Sequence, residues 1–203
     1  MVYYNEFNAQ KAAWLRQNQA DGLIAEGMVD ESDVRDVIPS SLTGYRRVHL
    51  FAGIGGWEYA LQLASWPEHE PIWTASFPCQ PFSAAGRRRG VVDDRHLWPY
   101  GSWLIEQCRP RIIVGEQVAS SDGMQWFDVV SNDLESKGYA VGTIVLPAAC
   151  VGSTQIRHRQ FWVAYSNDIF GTNKASRLGN GSRSGQYWIT RGRPGSESEN
   201  AGA

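Results

Sequence analysis

The sequence has little of several features that would point directly to a function class. Among 203 residues there are three cysteines, Cys79, Cys108 and Cys150, and they form neither a CxxC pair nor another spacing typical of metal ligands. An odd number of widely separated cysteines indicates reduced thiols rather than a disulfide framework. The net charge of −2 excludes a globally basic nucleic-acid-binding protein, so any contact with nucleic acid must come from local patches.

Long hydrophobic runs are missing as well. No apolar stretch approaches the roughly 20 residues that are needed to span a bilayer. The first residues, Met1 to Glu6, lack the basic and apolar regions of a signal peptide. These absences predict a cytoplasmic chain without membrane contact. Hydrophobic residues make up 42% of the sequence, which is enough for the core of one domain.

Strand-like and helix-like segments alternate along most of the chain. The predicted strands are Val2–Tyr4, Arg47–Phe51, Pro71–Phe77, Arg111–Val114, Tyr139–Leu146 and Phe161–Tyr165. The predicted helices are Asn8–Ile24, Trp57–Ser65, Leu97–Gln107 and Trp126–Lys137. This alternation predicts an α/β fold with a mostly parallel sheet. Beyond residue 166 the composition changes to Gly, Ser, Asn and Arg, which predicts a folded domain over 1–166 and a flexible tail over 167–203.

A glycine-rich turn lies between a predicted strand and a predicted helix. Its candidate binding residues are Phe51, Gly53, Gly55 and Gly56. Glycines allow a ligand to approach the backbone closely, and the start of the helix offers free N–H groups. Simple packing of a strand against a helix explains such a turn equally well. This motif alone therefore leaves both interpretations open.

A cysteine between two prolines follows the next predicted strand. Cys79 stands between Pro78 and Pro81, at the carboxyl edge where α/β sheets bind their ligands. An inert buried thiol is the commoner role of a cysteine. Such a thiol needs neither flanking prolines nor the Gly/Arg-rich segment that follows here. The pattern therefore favours a functional thiol.

Two further groups of polar residues stand beside predicted strands. Glu116 follows an apolar strand, where it is placed either for proton donation or for capping the next helix. Gln155, Arg157 and Arg159 precede the last predicted strand, and alternation places them on one face. There they would form a donor cluster for a carbonyl or phosphate oxygen. The alternative for the arginines is a solvated basic edge.

Taken in order, these motifs resemble the cytosine-C5 DNA methyltransferase family. The matching segments are Phe51–Gly56 (glycine motif), Pro78-Cys79-Gln80 with Phe82-Ser83 (nucleophile loop), Asp94-Arg95 with Leu97 (Asp/Arg/Leu motif), Glu116-Gln117-Val118 (Glu-Asn-Val motif) and Gln155-x-Arg157-x-Arg159 (arginine motif). The resemblance covers about Tyr3 to Ala164. The nucleophile loop is the most specific of these segments.

The resemblance implies a Rossmann-like, S-adenosylmethionine-dependent methyltransferase sheet with helices on both faces. It also implies methyl transfer to C5 of cytosine in DNA, with Cys79 adding to C6 of a flipped base. Glu116 would hold the N3 edge of the ring, and Arg157 and Arg159 would neutralise charge at O2. The other implied site residues are Phe51, Gly53, Gly55, Gly56, Pro78 and Leu97 for the cofactor and Gln80, Ser83 and Gln155 for the substrate, with no metal.

The order of the motifs departs from the family pattern. Only residues 57–77 separate the glycine motif from the nucleophile loop, although the family normally places a ribose-binding Glu and an adenine-binding Asp there. Segments around Glu6 and Asp33 resemble those two motifs, moved to the N-terminal side of the glycines. This predicts a rearranged order, with Glu6 on the ribose hydroxyls and Asp33 near the adenine amine. An ordinary surface glutamate is the alternative for Glu6.

Other departures concern two residues and the C-terminal part. His49 stands where the family usually has an acidic residue, and Gln117 replaces Asn as a longer amide that can still brace the nucleophile loop. The target-recognition domain and the final family motifs are not found. An active methyltransferase of phage or prophage type, as in restriction-modification, is therefore one hypothesis. The alternatives are a catalytically silent module that binds DNA or a partner, and half of a split enzyme whose partner chain brings target recognition.

Overall fold

The computed structural model describes residues 1–78 and 97–167, and these form one seven-stranded sheet with four α-helices. The strands are β1 (Val2–Asn5), β2 (Gly27–Asp30), β3 (Arg47–Leu50), β4 (Ile72–Ala75), β5 (Ile112–Val118), β6 (Tyr139–Pro147) and β7 (His158–Ser166). The helices are α1 (Ala9–Ala20), α2 (Gly56–Leu63), α3 (Trp98–Cys108) and α4 (Ser121–Ser136). Cys79, Gln80, Ser83, the Asp94-Arg95 pair and the predicted tail beyond Asn167 lie outside the described residues.

The sheet is mostly parallel, as the alternation of strands and helices predicts. Its strand order is β2-β1-β3-β4-β5-β7-β6. The first five strands pair in parallel, and β7 runs antiparallel to both β5 and β6. The carboxyl ends of β1, β3, β4 and β5 therefore meet at one edge of the sheet, where α/β proteins bind ligands.

Helices cover both faces of the sheet, which confirms the predicted α/β architecture. On one face, α3 and α4 pack on β3, β4 and β5 in the largest core cluster, where Val48 and Ile113 are almost completely buried. On the other face, α1 places Leu15 beside Val2 and α2 places Leu61 beside Ile72. Parallel sheets need this double cover because both faces of their strands are apolar.

Several elements differ from the sequence-based prediction, and strand β2 and helix α4 show why. Strand β2 was not expected, because glycine and aspartate are poor strand formers; it forms by parallel pairing with β1, in which Val2 faces Gly27. Helix α4 begins at Ser121 rather than at Trp126, because the Ser120 side chain accepts a hydrogen bond from the Gly123 N–H at 3.1 Å and caps the helix.

None of the helices within residues 1–78 and 97–167 combines the length and the apolar character of a membrane-spanning segment.

Close packing at Gly115 gives a test of the central sheet. A Cβ atom there would lie 2.2 Å from the Trp162 ring and 2.5 Å from the Ala75 carbonyl oxygen. We expect Gly115→Ala to lower the free energy of unfolding by about 1–3 kcal/mol, measured by urea denaturation. Gly142→Ala is the matched control, because a Cβ there meets only Val163 at an ordinary 3.8 Å. Equal stability of the two variants would contradict the packing of β5 against β7.

Candidate active site

The glycine turn after β3 has a backbone that requires glycine at two positions. Gly53 and Gly55 have φ angles of 61° and 90°, in the left-handed region. A Cβ on Gly55 would also lie 2.6 Å from the Ile24 side chain, so this glycine allows close packing. A Cβ on Gly53 or Gly56 would meet no described atom within 4 Å. The turn therefore serves packing on one side and leaves open space on the other.

Glu6 lies directly against this turn. The residue follows β1, which pairs with β3, and only 8% of its surface is exposed. One carboxylate oxygen accepts a hydrogen bond from the Gly53 N–H at 2.8 Å, and the other accepts one from the Asn8 N–H at 2.9 Å. The structure thus brings together two segments that are distant in sequence. This burial does not fit an ordinary surface glutamate.

Asp33 lies beyond β2, one strand further from the glycine turn. Asn5 ties this segment to β1 by donating a hydrogen bond to the Ser32 carbonyl oxygen at 2.8 Å. The Asp33 carboxylate accepts hydrogen bonds from Arg35 at 2.6 and 2.9 Å, and these bonds hold the pKa of the carboxyl below its usual value. Asp33 is therefore a fixed negative charge near the end of β2.

The segment that leads into the predicted nucleophile loop is held from two sides. Gln117 on β5 is buried, and its amide nitrogen donates a hydrogen bond to the Phe77 carbonyl oxygen at 3.1 Å. Trp57, at the start of α2, donates a hydrogen bond to the Ser76 hydroxyl at 3.0 Å. The ring of Phe77 packs against Phe51 of the glycine turn, with centroids 4.7 Å apart. The longer amide of Gln117 thus reaches the residue before Pro78.

Glu116 and Arg159 form an ion pair at the same edge of the sheet. In the antiparallel register of β5 and β7, Arg159 lies opposite Val118. Val118 is two residues after Glu116 and lies on the same face of β5, so Arg159 and Glu116 share that face. Both side chains are partly exposed, at 27% for Glu116 and 19% for Arg159. The structure therefore brings the predicted carboxylate and one predicted guanidinium into contact.

The predicted face of Gln155, Arg157 and Arg159 is not formed by strand alternation. Strand β7 begins only at His158, so Gln155 and Arg157 lie in the preceding loop and are exposed. The carbonyl oxygen of Arg157 accepts a hydrogen bond from the Ala148 N–H at 2.9 Å, which closes this loop. Of these three residues, only Arg159 belongs to the strand. Side-chain alternation therefore does not place Gln155 or Arg157 on its face.

The remaining candidates border the gap in the described residues. Pro78 is the last residue before that gap and Leu97 the first one after it, at the start of α3. The sequence-based prediction misses one further group, the buried carboxylate of Glu58 on α2, which contacts Arg47 and His49 of β3. A glutamate in the first turn of an otherwise apolar helix was the available signal.

Comparison with known proteins identifies the family. Residues 66–181, more than half of the chain, match the family model described as C-5 cytosine-specific DNA methylase. This chain belongs to that family. The matched range contains Cys79, Glu116, Arg157 and Arg159 and begins after the glycine turn.

Among curated relatives, the type II methyltransferase M.HhaI of Haemophilus parahaemolyticus is 26% identical over 174 residues, covering 66% of this chain and 53% of the relative. The type II methyltransferase M.NlaX of Neisseria lactamica is 31% identical over 144 residues, covering 66% of this chain and 46% of the relative. The chain thus spans about half the length of the curated relatives that it matches.

Solved structures show the same fold. DNMT2 of Spodoptera frugiperda superposes with a TM-score of 0.54 at 16% identity, over 86% of this chain and 45% of that one. The Dnmt2 methyltransferase of S. pombe superposes with a TM-score of 0.51 at 14% identity, over 82% of this chain and 50% of that one. These likenesses support the Rossmann-like methyltransferase sheet.

The brace between Gln117 and Phe77 can be tested by stability. We expect Gln117→Met to lower the free energy of unfolding by about 1–3 kcal/mol, because the buried Phe77 carbonyl loses its donor. Gln160→Met is the matched control: Gln160 is buried opposite Gln117 on β7, its side-chain nitrogen donates to the part-buried Thr143 hydroxyl at 3.1 Å, and its side-chain oxygen has no partner among the described residues. Urea denaturation of both variants should show the smaller loss for Gln160→Met. A smaller loss for Gln117→Met would count against the brace.

Proposed function

We propose that this chain transfers a methyl group from S-adenosylmethionine to C5 of cytosine in DNA. The observation that carries the proposal is the convergence of three features at one sheet edge. The glycine turn follows β3, the segment before Cys79 follows β4, and the Glu116–Arg159 pair lies where β5 ends and β7 begins. A cofactor, a nucleophile and a charged pair for the base would there meet in one cleft.

The residues around the glycine turn fit S-adenosylmethionine. Open space beside Gly53 and Gly56 suits a ligand that approaches the backbone, and the Glu6 carboxylate beside Gly53 suits the ribose hydroxyls. Asp33, on the neighbouring segment, would face the adenine amine. The wider cofactor pocket would also include Phe51, Gly55, Pro78 and Leu97. When bound, S-adenosylmethionine supplies an electrophilic methyl group.

The strand order supports the rearranged order of the motifs. β1 lies next to β3 and β2 lies outside β1, although both precede β3 in the chain. Glu6 follows β1 and Asp33 follows β2. Both of these strands lie on the side of β3 that is away from β4. Sheet position, rather than sequence order, decides which side chains border a cleft. In this arrangement, a pocket for ribose and adenine is assembled from the N-terminal segment.

The chemistry requires activation of cytosine, because C5 is a weak nucleophile. The Cys79 thiolate would form a bond to C6 and turn the ring into an enamine. C5 of this enamine would then take the methyl group, with S-adenosylhomocysteine as the leaving group. Glu116 would hold the N3 edge, and Arg159 with Arg157 would neutralise charge at O2. Loss of the C5 proton to a base then expels the thiolate and restores the ring. The cytosine must leave the duplex to reach the thiol, and Gln80, Ser83 and Gln155 would contact it there.

A second candidate function is favoured by an apolar surface on the sheet. Val118, Ile144, Leu146 and Tyr165 lie on the face of β5, β7 and β6 opposite α4, and between 36% and 45% of each is exposed. Exposed apolar side chains that share one sheet face can form an interaction site. The candidate is a split enzyme, in which a second polypeptide covers this face and brings target recognition.

The role of Glu6 is tested by cofactor affinity. We expect Glu6→Gln to raise the Kd for S-adenosylmethionine by about 10- to 100-fold in calorimetry, because a charged acceptor for the ribose hydroxyls is lost. The amide oxygen of glutamine can still accept the bond from Gly53, and only the bond from the Asn8 N–H is lost, so the fold should be retained. Glu31→Gln is the control, since Glu31 pairs with Arg16 at the surface. An unchanged Kd in Glu6→Gln would remove Glu6 from the pocket.

The role of Cys79 is tested by trapping the adduct. In the presence of S-adenosylmethionine, a duplex that contains 5-fluorocytosine should form a complex with the wild-type chain that survives denaturation, because the methylated C5 carries fluorine and has no proton to lose. Cys79→Ala should form none, and Cys150→Ala, which removes an exposed thiol, should behave like the wild type. An adduct that persists in Cys79→Ala would contradict the assignment. Wild-type chain that binds S-adenosylmethionine but forms no adduct alone would favour the split enzyme.

A further inference from the structure

A buried polar network lies beneath the proposed cleft. The Glu58 carboxylate, which has no exposed surface, forms an ion pair with Arg47 and contacts the His49 Nε2 atom at 3.0 Å. The His49 Nδ1 atom lies 2.8 Å from the Thr74 hydroxyl. The ring of Tyr4 stacks on that of His49, with centroids 5.0 Å apart and planes 20° from parallel. The network thus joins α2 to three adjacent strands.

The two charged groups in this network, the Glu58 carboxylate and the Arg47 guanidinium, neutralise each other. Burial lowers the pKa of the His49 imidazole and favours its neutral form. Burial opposes ionisation of Glu58, but its hydrogen bond to His49 and the charge of Arg47 outweigh that effect and hold the pKa of the carboxyl below its usual value. The pair of Glu58 and Arg47 is therefore ionic. Neutral His49 then donates from Nε2 to Glu58 and accepts from Thr74 at Nδ1.

Each strand in the network leads directly to a residue that forms or supports the proposed site. Tyr4 lies two residues before Glu6, His49 two residues before Phe51, and Thr74 two residues before Ser76. Glu58 itself lies in the first turn of α2, whose N-terminal end is the glycine turn, and a carboxylate is favoured there by the helix dipole. No proton transfer or substrate contact in the proposed reaction uses this group.

We propose that Glu58 is a positioning residue that fixes the glycine turn, Glu6 and the end of β4 relative to one another. Its carboxylate takes hydrogen bonds from two residues of β3 and, through His49, sets the position of β4. A buried charge that loses its partner is costly, so the network admits one arrangement of these segments. The consequence of this inference rests on the proposed function. The network would keep the cofactor side and the nucleophile side of the cleft in fixed positions relative to each other.

Amide hydrogen exchange of the ligand-free chain tests this directly. We expect Glu58→Gln to speed exchange by roughly tenfold or more at residues 51–57 and 74–77, because the fixed segments then open locally. Leu134→Ala is the control, since it removes a fully buried side chain from the last turns of α4, away from the network. At matched loss of stability, this control should not concentrate faster exchange in those two segments.

Thr74→Val keeps the Glu58–Arg47 pair and removes only the hydroxyl beside His49. It should speed exchange at residues 74–77 while leaving exchange at residues 51–57 close to wild type. This variant therefore tests the link between His49 and β4 if Glu58→Gln does not fold. Exchange that rises equally along the chain in both network variants, as in Leu134→Ala, would overturn the inference.

Calorimetry with S-adenosylmethionine separates this inference from the proposed function. We expect Glu58→Gln to raise the Kd by about fivefold or more, since the glycine turn is no longer held against Glu6. A wild-type chain that does not bind S-adenosylmethionine would contradict the proposed function, whereas the exchange result would still decide the role of Glu58. Unchanged affinity and unchanged local exchange in Glu58→Gln would overturn the inference alone.

Discussion

The parallel pairing of β1 with β3 is the constraint on which the candidate site depends. Leu50 faces Asn5 in this register, and the Ala52 N–H donates a hydrogen bond to the Asn5 carbonyl oxygen at 2.9 Å, just beyond the strands. Glu6 follows Asn5 and Gly53 follows Ala52. This register therefore brings the Glu6 carboxylate within 2.8 Å of the Gly53 N–H. A shift of one residue would point the carboxylate to the other face of the sheet, since side chains alternate along a strand.

The reversal of direction at β7 is the second determinant of the site. A parallel strand would present the end of its chain at the cleft, but an antiparallel β7 presents its beginning, and Arg159 is its second residue. The guanidinium thus meets Glu116 although the two residues are far apart in sequence. Gly115, between β4 and β7, allows the Trp162 ring to cover β5 and keeps these strands close. Packing and charge pairing in this region support the same register.

Buried polar groups beneath the cleft supply specificity rather than stability. An ion pair such as Arg47 with Glu58 gains little net free energy over apolar residues of similar size, because both charges lose their hydration. It does penalise every arrangement in which a partner is lost. Gln117 acts in the same way on the other side of β4, because its amide satisfies the carbonyl of Phe77. Polar contacts of this kind set the position of segments that apolar packing alone would leave less defined.

Local patterns in the sequence were sufficient to predict the architecture, and they indicated the candidate residues at the sheet edge. Alternating apolar segments predicted the parallel sheet, and the glycine, proline-flanked cysteine and Glu-Gln-Val segments indicated the carboxyl edge of three strands. Strand β2 escaped prediction because Gly27 and Asp30 are poor strand formers, and the segment gains its conformation by pairing with β1. The helix cap at Ser120 was not predicted, because the apolar residues that repeat with the helical period were recognised only from Trp126, after α4 has begun.

The sequence by itself determined the family resemblance, the α/β class and the residue types at each strand end, because these depend on residues close together in the chain. Only the tertiary structure decided that Glu6 meets Gly53, that Arg159 rather than Arg157 pairs with Glu116, and that Glu58 balances Arg47 beside His49. Those contacts depend on strand order, direction and register. These properties arise from packing between distant segments, and no local pattern specifies them.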